Sequence, residues 1–156
     1  MFVMCLYAVS LVLPTGDISL GYQKKFLKSH PSRVLNCMQV AKTAKKLNAD
    51  IELAVAIASV ETGFVSGLVS KAGARGLMGV MPSNMKGRPK TPESYLRRGV
   101  ELMETVLDMR PRLCDALAIY NAGLKGTCKG IGGTYAAVVM RRYEKIGSKT
   151  ECLYGC

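Results

Sequence analysis

The sequence predicts a mainly α-helical, compact single domain, and three observations carry that expectation. Its 156 residues are enough for one domain with a real core. Hydrophobic residues make up 49% and charged residues 21%, a balance that excludes a disordered or collagen-like chain. Several stretches repeat apolar residues every three or four positions, bounded by residues that start and stop helices.

The opening "MFVMCLYAVSLVL" is apolar and uncharged. It is short for a membrane-spanning helix and lacks the basic start of a secretory signal, although Ala8 and Ser10 give a weak cleavage-site pattern. An atypical export signal and a core-packing N-terminal segment both fit. "PTGDISLGYQ" reads as a turn-rich connection. In "PSRVLNCMQVAKTAKKLN" the apolar residues at 34, 35, 38, 41, 44 and 47 have helical spacing, with lysines on the other face. Asp50 is the expected cap of an almost wholly apolar helix from Ile51 to about Glu61.

Residues from Thr62 to about Arg75 are rich in Gly and Ser and predict a loop able to hold a short hairpin. "GLMGVMP" predicts one or two helical turns stopped by Pro82, and "SNMKGRPK" a loop. Thr91 then caps a helix with Pro92 at its first position, where the missing N–H is no loss. Leu96, Val100, Met103, Val106 and Leu107 share one side of this helix, which runs to about Met109 before Pro111 breaks it. A further helix covers Leu113 to about Ala122, with Gly123 as a left-handed cap. "KGTCKGIGG" is loop, and Tyr135 to about Ile146 closes the set. The chain divides into an N-terminal apolar segment and lead-in (1–32), a helical domain (33–146) and a cysteine-containing tail (147–156).

The formal charge is +11, from 22 Lys and Arg against 11 Asp and Glu, which favours polyanionic partners. The positives lie in small clusters (Lys24-Lys25, Lys45-Lys46, Arg97-Arg98, Arg141-Arg142) and not in one block. Zinc-finger spacing, an RNP-type aromatic motif and a Walker A loop are all missing, so no nucleic-acid partner is expected, and the rival reading of a basic nucleic-acid-binding helical protein has only charge behind it. The six cysteines (Cys5, Cys37, Cys114, Cys128, Cys152, Cys156) contain no CxxC pair, and His30 is the single histidine, so no metal site is expected. An oxidising compartment with one to three disulfides and a set of ordinary buried thiols are both open. Cys114 and Cys128 are near enough in sequence to pair. His30 is expected at the surface.

Glu61 is the anomaly. Its neighbours three and four residues back are Ala58 and Ile57, and those seven and eight back are Ala54 and Leu53, so it lies on a dry face. Burial disfavours its charged form, and the negative end of the helix dipole pushes the same way. Such a carboxyl holds its proton toward neutral pH, as a general acid must. The competing reading is a helix-end glutamate turned out to water. Glu52, in the first turn, suits a helix-stabilising charge.

The segments "ETGF", "SKAGARGLMGVMP", "ALAIYNAG" and "TYAAVVMRRY" follow one another at moderate spacing. In this order they resemble the lysozyme-like soluble lytic transglycosylase (SLT) family, which has relatives in phage particles and secretion systems and is related to goose-type lysozyme. The catalytic Glu of that family, followed by Ser or Thr, falls on Glu61-Thr62. Its Gly-Leu-Met-Gln motif is matched by Gly76-Leu77-Met78 and then broken by Gly79. Its Tyr-Asn pair matches Tyr120-Asn121, and its later tyrosine aligns with Tyr135. The resemblance covers about residues 33–146.

The resemblance implies a lysozyme-like domain of the α+β superfamily, with a short loop or hairpin region after the catalytic helix. It implies cleavage of the β-1,4 bond between N-acetylmuramic acid and N-acetylglucosamine in peptidoglycan, without cofactor. Glu61 would be the acid and then the base, oriented by the Tyr120 hydroxyl, and the product would be a 1,6-anhydro end. Thr62, Gly76, Leu77, Met78, Met81, Asn121 and Tyr135 would bind substrate, against competing readings of Leu77, Met78, Met81 and Tyr120 as core, Asn121 as closing its helix end and Tyr135 as stapling the last helix. A second carboxylate, usual in glycosidases, is not needed. From Thr62 to Leu107 the only acids are Glu93, Glu101 and Glu104, expected on the solvated side of their helix; Asp108 and Asp115 suit charge or capping roles. Gly79 leaves room for hydrolysis by a muramidase-type route, or for a catalytically inactive glycan-binding module of a secretion or phage assembly. A monomer without an integral membrane span, periplasmic, secreted or carried in a phage particle, is expected.

Overall fold

The structure is a computed structural model that describes residues 1–13 and 30–155. The turn-rich connection, Lys24-Lys25, Cys156 and the side chain of Cys152 lie outside what it describes. Six α-helices are present among the described residues: α1 Phe2–Ser10, α2 Pro31–Lys46, α3 Ile51–Glu61, α4 Pro92–Met109, α5 Leu113–Ala122 and α6 Gly133–Gly155. None is long and apolar enough to cross a membrane.

Helix α3 is the axis of the domain. Every residue from Leu53 to Ser59 is buried, and the helix packs against α1, α2 and α6. A helix apolar all round has no solvent face to offer, so its neighbours must enclose it. Asp50 caps it: Oδ1 accepts the Leu53 N–H at 2.9 Å. The other carboxylate oxygen accepts the Tyr143 hydroxyl at 2.6 Å, which ties α3 to α6. That bond, with burial adding, pushes the Tyr143 phenol up to about 12.

Helix α1 buries Met4, Cys5, Leu6, Ala8 and Val9, and a Cys5–Cys37 disulfide joins it to α2. The bridge explains a shift in the face of α2. Leu35, expected inside, is 60% exposed, whereas Cys37 and Val40 are fully buried. The buried stripe is centred on the cysteine that meets α1.

The other corrections concern ends and turns. "GLMGVMP" is not helical. Gly76 and Gly79 have φ of +75° and +65°, outside the right-handed region, so the segment closes as a tight turn between Arg75 and Val80. Those two residues exchange backbone bonds of 2.9 and 2.8 Å, and the expected hairpin reduces to isolated bridges, Val69 to Arg75 and Arg75 to Val80. Pro82 opens a 3₁₀ turn, Pro82–Met85, instead of stopping a helix. Gly123 has φ 73° but ψ −167°, so it ends α5 without adopting the left-handed helical cap. Helix α6 starts at Gly133 and continues through the predicted tail to Gly155.

Helix α4 follows expectation. Thr91 Oγ1 accepts the Ser94 N–H at 3.2 Å, Pro92 stands in the first turn, and Leu96, Val100, Met103 and Val106 are buried. The loop between α5 and α6 is fastened by a Cys114–Cys128 disulfide and by Asp115 Oδ1, which accepts the Cys128 N–H at 2.9 Å. Asp115 also pairs with Arg112 at 3.1 Å. His30 is half-buried and takes the N-cap position of α2.

Candidate active site

Glu61 is the last residue of α3. The helix brings it out of the core just as the chain turns away, so the carboxyl is partly covered and not wholly enclosed. Burial raises its pKa above the ordinary 4.5, and the Tyr135 hydroxyl opposes this with a smaller effect. No second carboxylate contributes to that shift.

The turn after Glu61 is placed by captured backbone carbonyls. Arg33 Nη1 donates to Gly63 O at 3.2 Å and Asn36 Nδ2 to Phe64 O at 2.9 Å, both from α2. Phe64 has φ +63°, unusual for a residue with a side chain, and its ring is fully buried. Thr62 Oγ1 donates to Leu77 O at 3.1 Å and toward Ala58 O at 3.3 Å, linking the end of α3 to the Gly76–Val80 turn. Tyr120 donates its hydroxyl to Met78 O at 2.8 Å. Four carbonyls are thus held by donors from α2, the end of α3 and α5.

This arrangement changes the reading of Tyr120. Its hydroxyl was expected to orient Glu61, but its proton goes to the Met78 carbonyl. The group remains close enough to Glu61 that the carboxylate charge, after burial, pushes the phenol upward. Tyr135 faces the acid more directly. Its hydroxyl is buried, makes no hydrogen bond of full geometry to any protein group, and is pushed well above its usual range by burial and then by Glu61.

Gly79 lies directly under the acid. A Cβ built at this position would come within 2.7 Å of Glu61 Cδ and closer still to Oε2. The carboxyl rests on bare backbone, so the glycine that breaks the Gly-Leu-Met-Gln pattern is the residue that makes room for it.

The remaining predicted residues divide. Met78 was expected to line a groove, but its side chain is fully buried against Gly99 of α4, where a Cβ would meet Met78 Cβ at 2.6 Å. Leu77 is also buried. Gly76 and Leu77 face a cavity whose lining does not include Glu61. Met81 and Asn121 are exposed, at the end of the turn and of α5 respectively. Arg33 and Asn36 were missed; they share one polar face of α2, a spacing that marks no function by itself.

The acids between Thr62 and Leu107 are placed elsewhere. Glu101 sits among Arg88, Arg97 and Arg98, at 2.7, 2.9 and 3.6 Å, and its pKa falls despite some burial. Glu93 lines the separate cavity. Glu104 corrects the expectation of a solvated side: its Oε1 is buried without a partner, and burial, with the charge of nearby Asp108 adding, raises it against a backbone hydrogen bond from Asp50. Among the described residues no group of three or more His, Cys, Asp or Glu could hold a metal ion.

The site therefore offers one carboxyl whose pKa burial raises, a buried phenol facing it and a backbone turn held beneath it. No solved structure matches the chain. Residues 38–137 match the transglycosylase SLT domain, a stretch that includes Glu61, the turn carrying Gly79, Tyr120 and Tyr135. That match covers more than half of the chain, so the protein belongs to the transglycosylase SLT family, whose lytic-transglycosylase-type chemistry is directed at peptidoglycan.

Proposed function

We propose that the protein cleaves the β-1,4 bond between N-acetylmuramic acid and N-acetylglucosamine with Glu61 as its single acid and base. The observation that carries this reading is the buried, pKa-raised carboxyl at the end of α3, with no second carboxylate beside it. Glu61 gives its proton to the glycosidic oxygen as the bond from that oxygen to C1 of muramic acid breaks. The acetamido oxygen of the same sugar bonds to C1 and takes up the developing positive charge. Glu61, now a carboxylate, removes the proton of the 6-hydroxyl. O6 attacks C1, the bond to the acetamido oxygen breaks, and a 1,6-anhydro ring closes.

Tyr135 supports the acid through its buried hydroxyl, which faces Glu61, and Tyr120 acts through the backbone by fixing the Met78 carbonyl. Thr62 shares that positioning work through Leu77. Met81 and Asn121, both exposed near the ends of site segments, are the side chains left to meet sugar directly. The two disulfides suit an oxidising location outside the cytoplasm, periplasmic, secreted or carried in a phage particle.

The deciding experiment is mass spectrometry of the soluble muropeptides released from purified peptidoglycan, with Glu61→Gln alongside. Products ending in 1,6-anhydro-muramic acid, lost in the variant, are expected. Reducing ends would replace the ring closure by attack of water, and wild-type activity in Glu61→Gln would overturn the assignment of the acid. A folded wild-type protein that released nothing would leave a strand-binding module instead.

A further inference from the structure

A cavity of about 450 Å³ lies between α2, the 66–69 loop, residues 75–77 and the start of α4. Its size falls within the ~300–1,000 Å³ of small-ligand sites. It borders the Gly76–Val80 turn through Gly76 and Leu77, yet Glu61, Tyr120 and Tyr135 take no part in its lining. It is a separate place on the molecule, one turn of chain away from the acid.

Its chemistry is distinctive. Three cations, Lys42, Arg75 and Lys90, line it against one carboxylate, Glu93, and none of the three cations forms an ion pair among the described residues. Leu68 and Val69 stand in the wall with 48% and 53% of their surface exposed, an apolar surface that no protein group covers. The one aromatic residue in the lining, Tyr95, is buried and offers no open ring face on which a sugar could stack. Aliphatic wall, amide and hydroxyl groups (Asn36, Gln39, Thr43) and unpaired cations suit a short peptide with methyl groups and several carboxylates.

We propose that this cavity binds the carboxylate-bearing peptide stem of a peptidoglycan strand, with Lys42, Arg75 and Lys90 meeting its carboxylates and Leu68 and Val69 its alanine methyls. The identity of the occupant rests on the peptidoglycan substrate of the family; the charge and the apolar wall are properties of this chain. Stem binding beside the turn that carries Gly79 would couple recognition of cross-linkable strands to the position of the acid. It would also make the protein prefer strands that still bear peptides.

The test uses the full chain, ¹⁵N-labelled, titrated with the free tetrapeptide L-alanyl-γ-D-glutamyl-meso-diaminopimelyl-D-alanine. Saturating shifts are expected at the amides of Gly67, Val69 and Gly76, with affinity falling tenfold or more in the triple variant Lys42→Gln, Arg75→Gln, Lys90→Gln. These side chains are exposed, so the fold should survive their exchange. Shifts elsewhere, no shifts, or equal affinity in the triple variant would overturn the proposal. Cleavage rates give a second readout: wild type should cut intact strands faster than strands stripped of stems by an amidase, and the triple variant should lose that preference while cutting stripped strands at the wild-type rate. Equal wild-type rates on both would overturn the stem site and leave Glu61 as the acid. Cleavage of neither would count against the glycosidase reading, and the titration alone would then decide the cavity.

Discussion

Helix α3 and the turn that follows it are joined at Glu61 but are held in place by different physics. The helix is placed by burial: from Leu53 to Ala58 its side chains are enclosed by α1, α2 and α6. The turn from Gly63 to Val80 buries Phe64, Leu77, Met78 and Val80 but leaves the rest of its side chains at least partly open, and its course between them is set by four carbonyls gripped by Arg33, Asn36, Thr62 and Tyr120. Burial is tolerant of small shifts in a helix, whereas captured carbonyls fix a backbone to within hydrogen-bond tolerance. The acid stands where the two meet. Stability should therefore reside mainly in the helix, and geometry at the Glu61 carboxyl mainly in the turn.

The comparison breaks most sharply at Glu61 itself. Glu61→Gln should lower strand cleavage by ~10²–10⁴-fold, the usual worth of a general acid, with an unchanged far-ultraviolet spectrum. The same variant sharpens the electrostatics. A carboxyl whose folded pKa is raised above 4.5 costs nothing below that value, where both states are protonated, and disfavours the folded state as pH rises past it. Urea unfolding should show Glu61→Gln gaining stability relative to wild type at pH 7 compared with pH 4; a difference of the opposite sign would mean that the carboxylate is well solvated.

Gly79→Ala comes next. The added methyl must displace the Glu61 carboxyl, and the positive φ adds strain of ~1–2 kcal/mol. A fall of roughly 10²-fold in kcat, larger than any change in KM, is the expected outcome of misplacing a reacting group by about an ångström. Unimpaired turnover would show that the acid works from another rotamer.

Leu53→Ala and Tyr120→Phe set the two regions against each other. The first should lose ~2–5 kcal/mol in denaturant unfolding while the surviving folded fraction keeps its activity per molecule. The second removes one hydrogen bond and leaves the Met78 carbonyl unmet, a loss of ~1–3 kcal/mol, but should also lower kcat about tenfold. If Tyr120→Phe affected stability alone, the turn would not be positioning the acid. Smallest is Thr91→Ala, which should lose ~1 kcal/mol from the α4 cap with no effect on cleavage.

The same contrast explains what the sequence made legible. Helices α3 and α4 were readable because their signals are local: a cap at Asp50 or Thr91 and an apolar pattern of fixed period. The buried face of α2 was misjudged because Cys37 is oriented by Cys5, 32 residues away. The Gly76–Gly79 segment read as helix because Leu77 and Met78 are good helix formers; the positive φ values of its two glycines overrule them. Glu61 was visible as an acid on a dry face. Tyr120 was named through the family resemblance, but its partner Met78, 42 residues distant in sequence, was not legible. Arg33 and Asn36 act through contacts 30 and 28 residues away, and no local pattern marks such contacts.

The Cys5–Cys37 bridge also changes the covalent topology of the chain, closing a ring over 32 residue steps. In the chain-entropy account a ring of that size stabilises the folded state by about 3–4 kcal/mol. A second result is specific to rings. One protease cut anywhere between the two cysteines opens the ring but releases no fragment, because α1 stays bonded to α2 through sulfur. Such a nicked protein should migrate as one species until a thiol is added and as two afterwards, and until then α1 stays tethered beside α3, the helix that carries the acid.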